Sequence, residues 1–250
     1  MAGHSKWANI KRQKARVDAK KGKTFTQLSR AIIVAARNGV ADPEGNFQLR
    51  TAIEKAKAAG IPNDNINRAI AKGAGTWGSD EDKLEEIRYE GYGSGGVAIL
   101  IEALTDNRNR TAADLRTAFS KNGGNLGETG CVSWMFEQKG VVCLVGEFTE
   151  EELLEASLEG GGESYELFEE EGIQEAEVVS SVADLENLHQ ALKAENLPVT
   201  EVELRWIPNS TIEVTDPDQA QSLLKMIEAL EALDDVQNVT ANFSMAEDLL

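Results

Sequence analysis

Between Gly3 and Arg30 the stretch GHSKWANIKRQKARVDAKKGKTFTQLSR sets nine lysines and arginines against one acid, Asp18. Ammonium and guanidinium groups at that density neutralise phosphates and release their counterions, a grip with no sequence preference that weakens steeply with salt. The candidate cations are Lys6, Lys11, Arg12, Lys14, Arg16, Lys20, Lys21, Lys23 and Arg30. Trp7, the one large aromatic before Phe25, either stacks on an unpaired base or anchors the arm to the first helix. A second cluster, Asp106-Asn107-Arg108-Asn109-Arg110-Thr111, lies where a strand gives way to a helix. Arg108 and Arg110 there either meet phosphate beside the helix dipole or cap the helix and pair locally with Asp106 and Asp114.

The arm belongs to a chain whose formal net charge is -18. Residues 1 to 75 hold 15 Lys+Arg and 5 Asp+Glu, a balance of +10, and residues 76 to 250 hold 10 and 38, a balance of -28. A basic module is therefore attached to an acidic body, an asymmetry that points to nucleic acid or another anionic surface. The plainer alternative is a solvated helix face beside a solubilising body. The near exclusion of acids from the basic stretch favours nucleic acid.

Other chemistries lack their residues. Gly91-x-Gly93-x-x-Gly96 matches a dinucleotide fingerprint but falls between two expected strands, with no helix N-terminus to receive a pyrophosphate. No kinase lysine, HRD or DFG follows it, so a flexible hairpin loop is expected there. His4 and His189 belong to no metal-ligand pattern, and the Glu147 to Glu155 and Glu169 to Glu171 runs read as solvated faces. No catalytic residue, cofactor or metal is expected, and the chain does not read as an enzyme. The apolar runs 31–36 and 97–101 are far short of the ~20 residues of a membrane span, and charge appears by Lys6 with no apolar leader behind it. A cytoplasmic protein is expected.

Three helices should follow the arm: one from an N-cap at Thr24, with Phe25, Leu28, Ile32 and Ala35 inward, to Asn38-Gly39; a second burying Leu49, Ala52, Ile53 and Ala56; and a third capped by Asn63. Beyond a linker at 76–83 the periodicity changes. Strands are expected at 86–90 and 97–105, a helix near 111–122, and a hairpin over Val132–Val145 if Glu137-Gln138-Lys139-Gly140 turns it. That hairpin would put Val132, Trp134, Phe136, Val141, Cys143 and Val145 on one apolar face and leave Cys131 and Cys143 apart, reduced and structural. Thr149 should open an acidic helix, and strands at 165–170 and 176–180, a helix at 182–195 and strands at 202–206 and 211–214 follow. Asp216-Pro217 starts a last helix, and 236–243 closes as a strand. Short strands mixed with helix pairs predict α+β sandwiches with mostly antiparallel sheets.

Ala2-Gly3-His4-Ser5-Lys6-Trp7-Ala8-Asn9-Ile10-Lys11, Gly60-Ile61-Pro62-Asn63-Asp64-Asn65-Ile66, Thr105 to Thr111 (TDNRNRT), Gly123-Gly124-Asn125-Leu126-Gly127, Trp134-Met135-Phe136 and Asp234-Asp235-Val236-Gln237-Asn238-Val239 together resemble the YebC/PmpR family nearly end to end. Ser94 and Arg12-Gln13 depart from its usual proline and His-Arg pair. The resemblance implies a multidomain α+β fold: a basic helical domain (1–75), an α+β domain in two pieces (80–130 and 208–250) and an acidic α+β domain inserted in it (131–207). It also implies a DNA-binding transcriptional regulator, or, after a mitochondrial relative that activates translation of cytochrome c oxidase, an RNA- or ribosome-associated factor easing elongation through proline-rich stretches. No helix in this reading combines a short Gly turn with an exposed base-reading face, so a helix-turn-helix is not evident. A third alternative is a protein-interaction module whose arm meets an acidic partner or its own acidic body, and that body could also meet a protein.

Overall fold

The computed structural model describes residues 21–76, 84–170 and 172–245. It divides into two compact units, one drawn from the chain up to Phe136 and from Pro208 onward, the other spanning Glu137–Ile207.

The larger unit begins with α1 (Lys21–Asn38), α2 (Phe47–Ala58) and α3 (Asn63–Gly73). Ile32, Ile33, Ala36, Leu49, Ile53, Ile61 and Ile66 bury into one core that also takes Leu104 from the following domain. Asn46 ties the first two helices together: its side-chain oxygen accepts from Leu49 N, and its amide donates to Ala35 O and Val40 O at 2.8 and 2.9 Å. Gly73 lets α3 close on α1, since a Cβ there would stand 2.5 Å from Ile33 O.

Three details differ from expectation. The first helix already includes Lys21, so Thr24 lies inside it and does not cap it; a cap preference of ~1 kcal/mol does not interrupt a helix. Phe25 is 41% exposed rather than inward. Pro62, not Asn63, holds the cap position of α3, its carbonyl accepting from Asn65 N and Ile66 N.

The sheet that follows runs β3 (Asn125–Leu126), β1 (Glu85–Tyr92), β2 (Ala98–Thr105), β9 (Val236–Ala241), antiparallel throughout. Central β2 reads AILIEALT because both its faces are covered. Val97, Ile99 and Ile101 pack with Leu115 and Phe119 of α4 (Arg108–Lys121) and with Leu223, Met226 and Ile227 of α7 (Pro217–Glu231). Asp216 caps α7 with Pro217 in its first turn, as its sequence predicts. The expected closing strand 236–243 is broken at Asn242, whose side-chain oxygen accepts from Ala98 N while its own N–H donates to Ala98 O. The chain then leaves β2, and β10 (Phe243–Met245) pairs parallel with β8 (Ile212–Val214).

The smaller unit is a four-stranded sheet in the order β5 (Gly162–Glu170), β6 (Ile173–Ser180), β4 (Phe136–Val145), β7 (Val199–Pro208), with α5 (Glu150–Glu159) packed against α6 (Leu185–Ala194). Thr149 and Glu152 form a full capping box on α5. The expected Glu137–Gly140 hairpin does not form. β4 runs unbroken, Val141 opposite Val179 and Cys143 opposite Glu177, while Trp134 lies in a short 3₁₀ turn and is exposed. Gly140 supplies close approach instead of a turn: a Cβ there would sit 2.7 Å from Ser180 Oγ and 2.8 Å from Leu185 Cβ. Both cysteines are free, Cys143 buried and Cys131 half-buried.

Gly140→Ala is therefore expected to lower stability by about 1–3 kcal/mol through overpacking. Urea denaturation checks this, and an unchanged midpoint would contradict the close approach.

Candidate nucleic-acid interface

The cluster at the β2–α4 junction is built locally and then gathered by one distant carboxylate. Asn107 caps α4 by accepting from Arg110 N at 3.1 Å, and Asn107 N donates to Thr105 Oγ1 at 2.9 Å. Asp235, at the entry to β9, lies beneath. Its Oδ2 accepts from Arg110 at 2.8 Å, Thr111 Oγ1 at 2.8 Å and Thr105 Oγ1 at 3.1 Å, and its Oδ1 from Arg30 at 3.3 Å. Arg30 also donates to the Asp234 carbonyl. Helix α1, the end of β2, the first turn of α4 and the start of β9 thus meet at one side chain. Burial pushes the Asp235 carboxyl up, but the hydrogen bonds from Arg110, Thr111 and Thr105 outweigh it and hold it below the usual range.

Arg108 faces the other way. Its side chain is 69% exposed and reaches Glu85 only at 3.7 Å, a solvated pair worth at most about 1 kcal/mol, so a phosphate could replace that partner at little cost. Its carbonyl accepts from Tyr89 Oη at 3.3 Å. Of the two alternatives for this cluster, Arg110 fulfils the local one in part: it pairs with Asp106 at 2.8 Å, and its second carboxylate is Asp235, not Asp114. Arg30, predicted beside the arm cations, is brought to Arg110 through Asp235. Lys6, Trp7, Lys11, Arg12, Lys14, Arg16 and Lys20 lie outside the described residues. Lys21 and Lys23 fall in the first turn of α1, and their side chains are outside the description.

Two features escaped the sequence reading. Helices α2 and α3 are joined by only Ala59–Pro62, with Gly60 at φ 83°, and Asn63, Asn65, Asn67 and Arg68 are exposed on α3. A short glycine turn and an exposed face of base-reading residue types therefore do occur together. The glycine at the end of α2 was the available signal. Glu90 is the other: 3% exposed, it accepts backbone N–H bonds from Gly130, Val132 and Ser133 at 2.6 to 2.8 Å. Burial raises its carboxyl, and those three donors more than reverse the shift.

Among the described residues no group of three or more His, Cys, Asp or Glu could hold a metal, and no helix is long and apolar enough to cross a membrane.

Residues 5–76 match the family described as TACO1/YebC protein N-terminal domain, and residues 84–243 that described as TACO1/YebC second and third domain. The chain is 77% identical over 250 residues to a probable transcriptional regulatory protein of Gloeothece citriformis, covering 100% of this chain and 98% of that one. A Synechocystis protein of the same description is 69% identical over 248 residues, covering 99% and 98%. The crystal structure of a conserved hypothetical protein from Aquifex aeolicus, 45% identical, superposes with a TM-score of 0.82 over 93% of this chain and 94% of the other. That agreement matches the N-terminal helical domain and two mostly antiparallel α+β domains.

Because the native carboxyl of Asp235 titrates below its unfolded value of about 3.9, its stabilisation is present above that pH and is lost as pH falls through the native value. Asp235→Asn is expected to cost roughly 2–3 kcal/mol at pH 7, and the deficit against wild type should narrow near pH 3. Urea titrations at the two pH values test this; equal deficits would show that the charge is not what matters.

Proposed function

Because this chain belongs to the TACO1/YebC family, we propose that it is a nucleic-acid-binding regulator of gene expression, a transcriptional regulator held on DNA by its basic N-terminal region. The observation that carries this is the +10 balance of residues 1–75 against an otherwise acidic chain. The names of the Gloeothece and Synechocystis relatives support it, as does the α2–Gly60–α3 arrangement with Asn65, Asn67 and Arg68 exposed. The arm cations and Arg108 grip phosphates, while Arg30 and Arg110 keep the helical domain beside them. The acidic remainder limits adhesion elsewhere on the polyanion. We assign the chain a binding role in the cytoplasm rather than catalysis, and keep three domains, 1–75, 80–130 with 208–250, and 131–207, a division that the two separately matched stretches support.

A second reading, an RNA- or ribosome-associated translation factor, is favoured by one observation: Trp134, a large aromatic, is 69% exposed among the described residues, and a paired duplex offers it no free base face.

With about six phosphate contacts, log affinity for duplex DNA should fall against log salt with a slope of roughly -5. Replacing Lys11, Arg12, Lys14 and Arg16 with Ala should flatten the slope by about 3 to 4. A wild-type slope near zero would overturn the phosphate grip. Co-sedimentation with ribosomes, lost in the same variant, would move the assignment to the second reading.

A further inference from the structure

Exposure of one aromatic is ordinary on a protein surface and by itself says little. What distinguishes Trp134 is its mounting. The loop before it is pinned from below by the buried Glu90 carboxylate, which holds Gly130 N at 2.7 Å, Val132 N at 2.6 Å and Ser133 N at 2.8 Å. Tyr92 Oη donates to Cys131 O at 3.0 Å. Asn209 clamps the far side, its backbone N–H on Met135 O at 2.8 Å and its side-chain amide on Trp134 O at 3.3 Å. The indole N–H itself donates to Cys131 O at 3.2 Å, which fixes the ring's orientation. The ring's one polar group is thus occupied within the loop, and what it offers outward is π surface.

We propose that Trp134 is a stacking platform for an unpaired base of the bound nucleic acid. This rests on the nucleic-acid-binding assignment above and adds to it a contact distinct from the phosphate grip of the arm's cations. A rigid aromatic face recognises any base because every base has a π-face, and holding the ring in advance removes the ordering cost of the contact. The indole carries no charge, so the contact itself releases no counterions. Its contribution is therefore independent of salt, unlike that of the arm.

The test uses the full chain, a short single-stranded RNA oligonucleotide and a duplex of the same sequence. Trp134→Ala should weaken single-strand binding about 5- to 150-fold, shift the whole log affinity–log salt line down without changing its slope, and leave duplex binding as it was. Trp134→Phe should retain most of the affinity while losing part of the fluorescence quench that the wild type shows on titration. An unchanged urea midpoint in both variants verifies the fold. Equal losses on single strand and duplex, or a Trp134→Phe variant as weak as Trp134→Ala, would overturn stacking. If wild type binds with a steep salt slope and Trp134→Ala binds equally well, stacking alone fails. If wild type binds neither probe, the nucleic-acid assignment fails with it.

Discussion

Asp235 is the side chain on which the larger unit depends. A buried carboxylate costs free energy unless its oxygens are matched by donors, and the donors that match these come from Arg30, Thr105, Arg110 and Thr111. They come from three pieces of chain: helix α1, the end of β2 and the first turn of α4. The helical domain is therefore fixed to the α+β domain by charge-assisted hydrogen bonds as well as by Leu104 in its core. Because Arg30 and Arg110 are engaged with this carboxylate, the outward positive potential of the junction falls to Arg108.

Glu90 does for the loop at 130–133 what Asp235 does for the domain junction. Both are acids in segments whose role composition cannot reveal, since each looks like one more carboxylate in a chain of 43. Their partners lie 40 to 43 residues away for Glu90 and up to 205 for Asp235. Local signals were legible for the opposite reason. Thr149 with Glu152, Asp216 with Pro217, and the continuous apolar run of β2 each declare their structure within a few residues. The hairpin expected at Glu137–Gly140, where β4 in fact runs unbroken, shows the limit of that logic. Its local pattern makes Gly140 a turn glycine, whereas its requirement comes from Leu185 and Ser180, residues a sequence pattern does not connect to it.

The candidate site divides the same way. The density of the arm's cations, and the position of Arg108 at a helix start, follow from spacing alone. The engagement of Arg30, the exposure of α3 and the mounting of Trp134 follow from packing. Alternation from Val132 puts Trp134 on an apolar face, but the strand begins four residues later, at Phe136, after Glu90 has drawn the preceding backbone into a turn.

The sheet of the smaller unit has β5 and β7 at its edges. Both are long for edge strands, and unpaired edges invite other chains to add on. Here acids guard both: Glu163, Glu166 and Glu169 lie on one edge, with Glu163 held by Lys139, and Glu201 and Glu203 lie on the other, with Glu203 held by Arg205 and Pro208 closing the strand. Two copies brought edge to edge would set these carboxylates against one another, so the limit of this sheet at four strands rests on charge as well as on pairing.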